Sequence, residues 1–416
     1  MIVRDAHRHG PKEYVITSPR SLVVSAFTAF AAFGAFWGVW GASVPRVQDQ
    51  ADVTDGELGF ALLFVGAGAL PAMMLVGRVL DRWGLRVSAA VIALLGLVGA
   101  GLALTAVDLP ALCAGLAVAG ASSGAADVAM NAVAGRAEKL AGRPVITRAH
   151  GTFSALVVLT SLGTGAASAA GLPLAVPFAV VAALSVAAGA ALFTTLPPGA
   201  TGQDEEEAAP ARLAPVTRSR LLPLLLVGVL GTLAFASENA HQSWSAVFAQ
   251  DELHAGAWLT TVAPAVFAGT VAITRFCLGG LNDAHARPVL LGGAATAALG
   301  ALVISVSPNL LLAAVGLILG GAGTAVLFPT LLGVVSRNVE EAYRGRATSI
   351  VGTVSYMGFL LGPVYVGVWA DATGLRGAMV AVAALAAALV ALTPPLLRLS
   401  GFTAPSARPA PERADA

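Results

Sequence analysis

Apolar runs near or above about 20 residues recur along this chain, and that is the length a helix needs to cross the hydrocarbon of a bilayer. Backbone N–H and C=O groups find no water there, so each run must satisfy them internally, as a helix does. Twelve runs are read, at about Leu22–Val44, Glu57–Gly77, Val87–Ala106, Leu109–Gly135, Thr147–Ala170 and Leu174–Leu196, then Leu221–Phe248, Ala257–Leu278, Val289–Val306, Leu310–Val335, Ala347–Ala370 and Leu375–Leu397. Pro45 is expected to stop the first of them. Charged residues make up only 11% of the chain and apolar ones 57%, with a mean hydropathy of +0.80. A water-soluble domain carries about 25% charge, so a soluble globule is excluded. The expected fold is an all-α membrane protein of twelve transmembrane helices.

The runs fall into two groups of six. Residues 22–196 and 220–398 are expected to form two six-helix bundles, with tails at 1–21 and 399–416. The linker at 197–219 carries Pro197, Pro198, Pro210 and Pro215 around the acidic stretch Asp204–Glu207, and it reads as a solvated tether. Orientation follows from the basic residues, which favour the cytoplasmic side. With the N-terminus inside, 21 of the 24 Lys and Arg lie on cytoplasmic segments. Only Arg46 and Arg376 fall outside, and Arg275 lies within a span. Both termini are therefore expected in the cytoplasm. The first 20 residues show no small-x-small cleavage site and read as a retained tail. Cys113 and Cys277 fall near opposite membrane faces, where a disulfide is not expected. A net charge of +1 implies no nucleic-acid partner.

Between the second and third runs lies Gly77-Arg-Val-Leu-Asp81-Arg82-Trp-Gly84-Leu-Arg86. The glycines permit a tight reversal, and Asp81 is expected to accept hydrogen bonds from the start of the next helix. A weaker copy, with Gly279 and Asp283 but Ala284 in place of the arginine, follows about 200 positions later, as in a duplicated membrane protein. The form Gly-x-x-x-Asp-Arg-x-Gly-x-Arg resembles the loop between helices 2 and 3 of the major facilitator superfamily of secondary transporters. The resemblance covers roughly residues 20–398. It implies two bundles rocking about a central site, with this loop governing conformation. The stretches Asp127-Val-Ala-Met-Asn131, Glu138, His150–Ser154 and Glu238–Trp244 resemble a poorly characterised bacterial inner-membrane branch, distantly related to sugar–proton symporters that carry an acidic residue on helix 4.

Polar residues inside the spans are the site candidates, because charge in lipid is costly and marks cavities or relays. Asp127 and Asn131 share a helix face. Asp127 either binds cargo or cycles a proton, or else is a structural carboxylate. Glu238, His241, Gln242 and Ser245 follow helical spacing, with Asn239 and Trp244 beside them. Glu238 with His241 reads as a rival proton pair, or as an outer hydrogen-bonding latch. Trp40 and Trp244 suit ring stacking, Trp40 equally interface anchoring, and Tyr356 offers a hydroxyl in mid-span. His150 reads as a helix-end residue and Arg275 as snorkelling to the interface. No P-loop, metal-ligand spacing or nucleophile motif occurs, so no enzyme activity and no cofactor are expected. The leading reading is a monomeric, proton-coupled transporter of a small organic solute in the bacterial inner membrane, with lipids and protons as its other partners. An exporter of hydrophobic drugs or metabolites, and a non-transporting receptor or lipid scramblase on the same fold, stand as alternatives.

Overall fold

A computed structural model describes residues 19–143, 145–197, 218–278, 286–340 and 343–402. All regular structure among these residues is helical: α1 Pro19–Ala51, α2 Asp55–Trp83, α3 Val87–Thr105, α4 Leu109–Ala141, α5 Ile146–Ala169, α6 Ala175–Thr195, α7 Arg218–Asp251, α8 Ala257–Thr260, α9 Val262–Leu278, α10 Ala286–Ser305, α11 Leu310–Ala325, α12 Leu327–Asn338 and α13 Arg344–Ser400. Eleven helical segments among the described residues are long and apolar enough to cross a membrane. The linker, both tails and the second loop with Gly279 and Asp283 lie outside the described residues, apart from their flanks.

Helix starts follow local chemistry. Thr54 and Glu57 form a reciprocal capping box at α2, with the Glu57 N–H donating to Thr54 Oγ1 at 3.2 Å and the Thr54 N–H to Glu57 Oε2 at 2.9 Å. Asp108 caps α4 through the Ala111 N–H, and Asn309 caps α11 through the Leu312 N–H about 200 positions later, a second trace of the repeat. Exposed Met74, Leu159, Phe193, Phe276 and Leu311 form part of the apolar surface that lipid would cover.

Prolines decide where the helices depart from expectation. α1 does not stop at Pro45 but runs through it to Ala51. One lost hydrogen bond is cheaper there than exposing a whole turn of backbone to an apolar setting. The run beginning at Ala257 is instead broken at Thr261, where Pro264 cannot donate to the Thr260 carbonyl. The run from Leu310 is likewise broken at Val326, one turn before Pro329. The runs at 347–370 and 375–397 are joined in the 57-residue α13, which bends at Gly374, whose φ of 78° and ψ of 168° suit only glycine.

Small residues let helices cross closely. α2 packs on α4, α1 on α5 and α3 on α6, while α7 packs on the first part of α13 and α10 on α11. At the α2–α4 crossing, a Cβ on Gly124 would stand 2.7 Å from the Ala69 carbonyl oxygen, so no larger residue fits without movement. Arg46 and Arg376 tie down loops within their own halves. Arg46 donates to Ser168 Oγ at 2.9 Å and to the Leu172 carbonyl at 3.0 Å. Arg376 pairs with Glu252 at 2.9 Å and donates to the Ser305 and Ser307 carbonyls at 3.1 and 2.9 Å.

Candidate functional site

A cavity of about 660 Å³ lies between the helices preceding the linker and those following it. α1, α2, α4 and α5 form one wall, and α7, α9, α12 and α13 form the other. It is closed at the end where α1 meets α2. There the Gly56 N–H donates to Asp371 Oδ1 at 2.8 Å, and Gln250 Nε2 donates to Asp49 Oδ2 at 3.1 Å, both across the halves. The backbones of α2 and α13 also touch: a Cβ on Gly59 would lie 2.7 Å from the Pro363 carbonyl oxygen and 3.1 Å from Gly367 Cα. At the other end Met73, Met130, His150 and Arg275 line the cavity, with His150 and Arg275 exposed. Because the Gly59 contact exists only while the α1–α2 end is shut, Gly59→Ala should shift the population toward the opposite opening. A Gln242→Cys reporter in the cavity should then react several-fold faster with an impermeant maleimide added on the α1–α2 side. Unchanged labelling would refute the role of this crossing.

Asp127 projects from α4 into the cavity. Asn131, one turn on, donates from Nδ2 to the Asp127 carbonyl at 2.9 Å and to its Oδ1 at 3.2 Å. Asn131 therefore holds the carboxylate by its neighbour on the helix and is not itself part of the wall. Glu238 enters from α7 and is held by Arg275 of α9, whose Nη2 donates to both carboxylate oxygens at 2.8 and 3.0 Å. Arg275 is thus not a snorkelling residue, and Glu238 takes the guanidinium and not His241 as its partner.

Two prolines prepare this wall. Pro329 has no N–H, so the Ala325 carbonyl loses its helical donor, and Arg275 Nε supplies one at 3.3 Å. Pro363 does the same to the Phe359 carbonyl, which accepts from Asn239 Nδ2 at 3.0 Å. Ser243 then donates to Asn239 Oδ1 at 2.6 Å. The signal for both contacts lay in the sequence as prolines four residues past a carbonyl, but their partners come from other helices.

Aromatic rings make most of the remaining wall. Phe235 lies 4.2 Å from Phe328, 4.5 Å from Phe359 and 5.7 Å from Tyr356, centroid to centroid. Opposite them, Phe33 lies 5.7 Å from Phe153 and 6.3 Å from Trp37. Trp40, Tyr356, Asn239 and Gln242 line the cavity as the sequence suggested. His241 and Trp244 do not. His241 is buried on the side of α7 facing α9 and α11, where Gly320 leaves room for its ring. Its Nδ1 meets the Ser237 carbonyl at 2.7 Å and its ring stacks on Phe267 at 5.6 Å. Trp244 is fully buried. The expected α7 stripe is therefore split, because the cavity face centres on Glu238, Asn239, Gln242 and Ser243.

The Gly77–Arg86 loop also differs from expectation. Asp81 lies in the last turn of α2, exposed, and makes no hydrogen bond among the described residues; α3 starts without a side-chain cap. α2 runs on to Trp83, which carries the carboxylate away from the next helix start. Glu138 fills such a role elsewhere: its Oε2 accepts from the Val145 and Ile146 N–H groups at 2.7 and 3.0 Å, at the start of α5. Arg82 lies over the Trp83 ring at 6.0 Å. Arg86 donates to the Leu196 carbonyl at 2.9 Å and lies 4.9 Å over Phe193, tying the loop to the end of α6. Gly84, with φ of 77°, ends α2.

Membrane-length helices arranged around a central cavity, shut at one end by contacts across the halves, define a solute carrier. Residues 25–285 and 264–415 match the Major Facilitator Superfamily, and the chain belongs to it. It is a multi-pass secondary transporter of a small solute, not an enzyme. An uncharacterised MFS-type transporter of Yersinia pestis is 30% identical, the match covering 82% of this chain and 87% of that protein. Among solved structures, a bacterial homologue of the human lysosomal transporter Spinster, in an inward-facing and unoccupied conformation, aligns with a TM-score of 0.73 at 14% identity, over 94% of this chain and 98% of that one. A D-xylose-proton symporter aligns with a TM-score of 0.66 at 15% identity, over 88% and 97%.

Proposed function

We propose that the chain is a proton-coupled carrier of the bacterial cytoplasmic membrane, with twelve crossings in two six-helix bundles and both termini cytoplasmic. The observation that carries this reading is the cavity between the halves, with Asp127 facing into it. Twelve crossings follow if α8 with α9 and α11 with α12 each make one, and α13 makes two across its bend at Gly374. The distribution of Lys and Arg supports termini inside, which makes this an inward-open state. Cysteine labelling should then reach position 205 only from the cytoplasm and position 308 only from outside; an external 205 would overturn the topology.

Alternating access requires the cavity to close at one end before it opens at the other. The cross-half contacts at Gly56, Gly59 and Gln250 are the bonds to be broken. The Gly77–Arg86 loop, with Asp81 free and Arg86 docked on α6, sets the rate of this switch and not the choice of cargo. Asp127 carries the proton: it is the one carboxylate on the α4 wall of the cavity, and a change in its surroundings as the cavity opens and closes changes its proton affinity. Asn131 orients that carboxylate, and Trp40, Asn239, Gln242 and Tyr356 meet cargo, with the chain acting as a monomer. Purified protein in proteoliposomes tests the reading: a solute gradient should move protons, and a pH gradient should move the solute. An absence of both fluxes across a solute panel would refute it.

A further inference from the structure

The cavity's charges do not balance. Its charged and titratable walls are Asp127 on α4, His150 on α5, Glu238 on α7, Arg275 on α9 and Tyr356 on α13. Glu238 and Arg275 neutralise each other through both carboxylate oxygens, and Arg275 spends a further donor on the Ala325 carbonyl. His150 and Tyr356 bring no fixed charge, and His150 packs edge-on against Phe30 at 4.7 Å. The neutral Asn131 amide is the one side-chain donor to Asp127 among the described residues, and no protein donor reaches its second oxygen. The cavity therefore holds one uncompensated carboxylate.

Its hydrogen-bonding capacity is equally telling. Asn131 is committed to Asp127, Ser243 to Asn239, and Ser154 to the His150 carbonyl. Asn239 is engaged at both ends of its amide. Gln242, the Tyr356 hydroxyl, the indole N–H groups of Trp37 and Trp40 and the His150 ring remain among the larger polar groups, and none of them brings a fixed charge to offset Asp127. The aromatic walls, in contrast, set Phe33 and Phe153 on one side and Phe235, Phe328 and Phe359 on the other, and aromatic rings attract cations over their faces.

We infer that the cargo is an organic monocation with an apolar or aromatic body, its cationic group pairing with Asp127 and its body lying between the ring of Phe235, Phe328 and Phe359 and the wall of Phe33 and Phe153. This rests on the reading of the chain as a proton-coupled carrier working from this cavity. One carboxylate holds either the proton or the cation, so binding one releases the other. Transport is then an exchange: a proton enters as a monocation leaves, and no net charge crosses the membrane. A pH gradient drives it and a membrane potential alone does not.

The probes are 1-methyl-4-phenylpyridinium, a flat permanent monocation, and 4-phenylpyridine, its neutral near-isostere at pH 8. Full-length protein in detergent should release a proton when it binds the cation at acidic pH, where the carboxyl is protonated beforehand, and at pH 8 should bind the cation and bind the neutral compound far more weakly. Asp127→Asn should weaken cation binding about tenfold or more, the loss expected for a charge-assisted contact. Asp127→Glu should keep it, and gel filtration with a cooperative melting transition establishes that each variant is folded. In proteoliposomes, a pH gradient should drive cation exchange that an imposed potassium diffusion potential leaves unchanged. Equal affinity for the neutral isostere, unchanged cation affinity in Asp127→Asn, or no cation binding by folded protein would overturn the inference. Proton flux coupled to xylose or uridine but to no cation would overturn it too, while leaving the proton-coupled carrier standing; no proton flux with any solute would remove both.

Discussion

Asp127→Asn protein should lose pH-driven net flux altogether while remaining inserted and folded. The substitution keeps nearly the same shape and removes the one group on the α4 wall that can take up and release a proton. Its place is also the least protected by partners: Asn131 donates at 3.2 Å and nothing in the described structure supplies a countercharge. With no titrating group, cargo movement no longer depends on pH, and exchange of cargo across the membrane in the absence of a pH gradient should persist at a reduced level. Asn131→Ala, which removes the amide that holds the carboxylate, should weaken binding more than coupling. The measurement is proton flux accompanying cargo in proteoliposomes. If Asp127→Asn retains stoichiometric proton flux while Glu238→Gln loses it, the proton carrier lies on α7.

Arg275→Gln should be the most destabilising single change at the site. It leaves the Glu238 carboxylate, with 9% of its side chain exposed, without its countercharge, and also strips the Ala325 carbonyl of the donor that replaces the missing Pro329 N–H. Breaking a buried pair from one side costs about 3–5 kcal/mol, and the 43% exposure of Arg275 moves the expectation toward the low end, about 2–3 kcal/mol. Glu238→Gln in the same protein should recover much of that loss, because a neutral amide tolerates burial better than an unpaired carboxylate. Thermal melting of the two single variants and the double variant measures the coupling directly. Additive losses would mean that the pair contributes nothing beyond its separate contacts.

Much of the architecture is a one-dimensional property and is legible as such. Whether a run of residues is long and apolar enough to cross a bilayer depends on its own composition, and the capping box at Thr54 and Glu57 depends on four neighbouring residues. The motif at Gly77–Arg86 is as local, so the family resemblance was available before any contact was known. The breaks at Thr261 and Val326 were legible in principle as well, since Pro264 and Pro329 lie within the runs they interrupt.

The site was only half legible, because it depends on how each helix is rotated about its axis. Glu238 and His241 are three residues apart and look like a pair, yet one faces the cavity and the other packs against Phe267 beside Gly320. Glu238 finds its partner 37 positions away on α9 instead. Trp244 suits stacking on a ligand by type, but α7 turns it into the interior. The chain's own sequence thus determined that it spans a membrane repeatedly and which polar residues it carries into the spans, since hydropathy and length act residue by residue along a helix. Tertiary structure alone decided that Asp127 stands without a countercharge while Glu238 is neutralised, because helix rotation is set by close crossings such as Gly124 on Ala69 and by carbonyls that Pro329 and Pro363 leave open to donors from neighbouring helices.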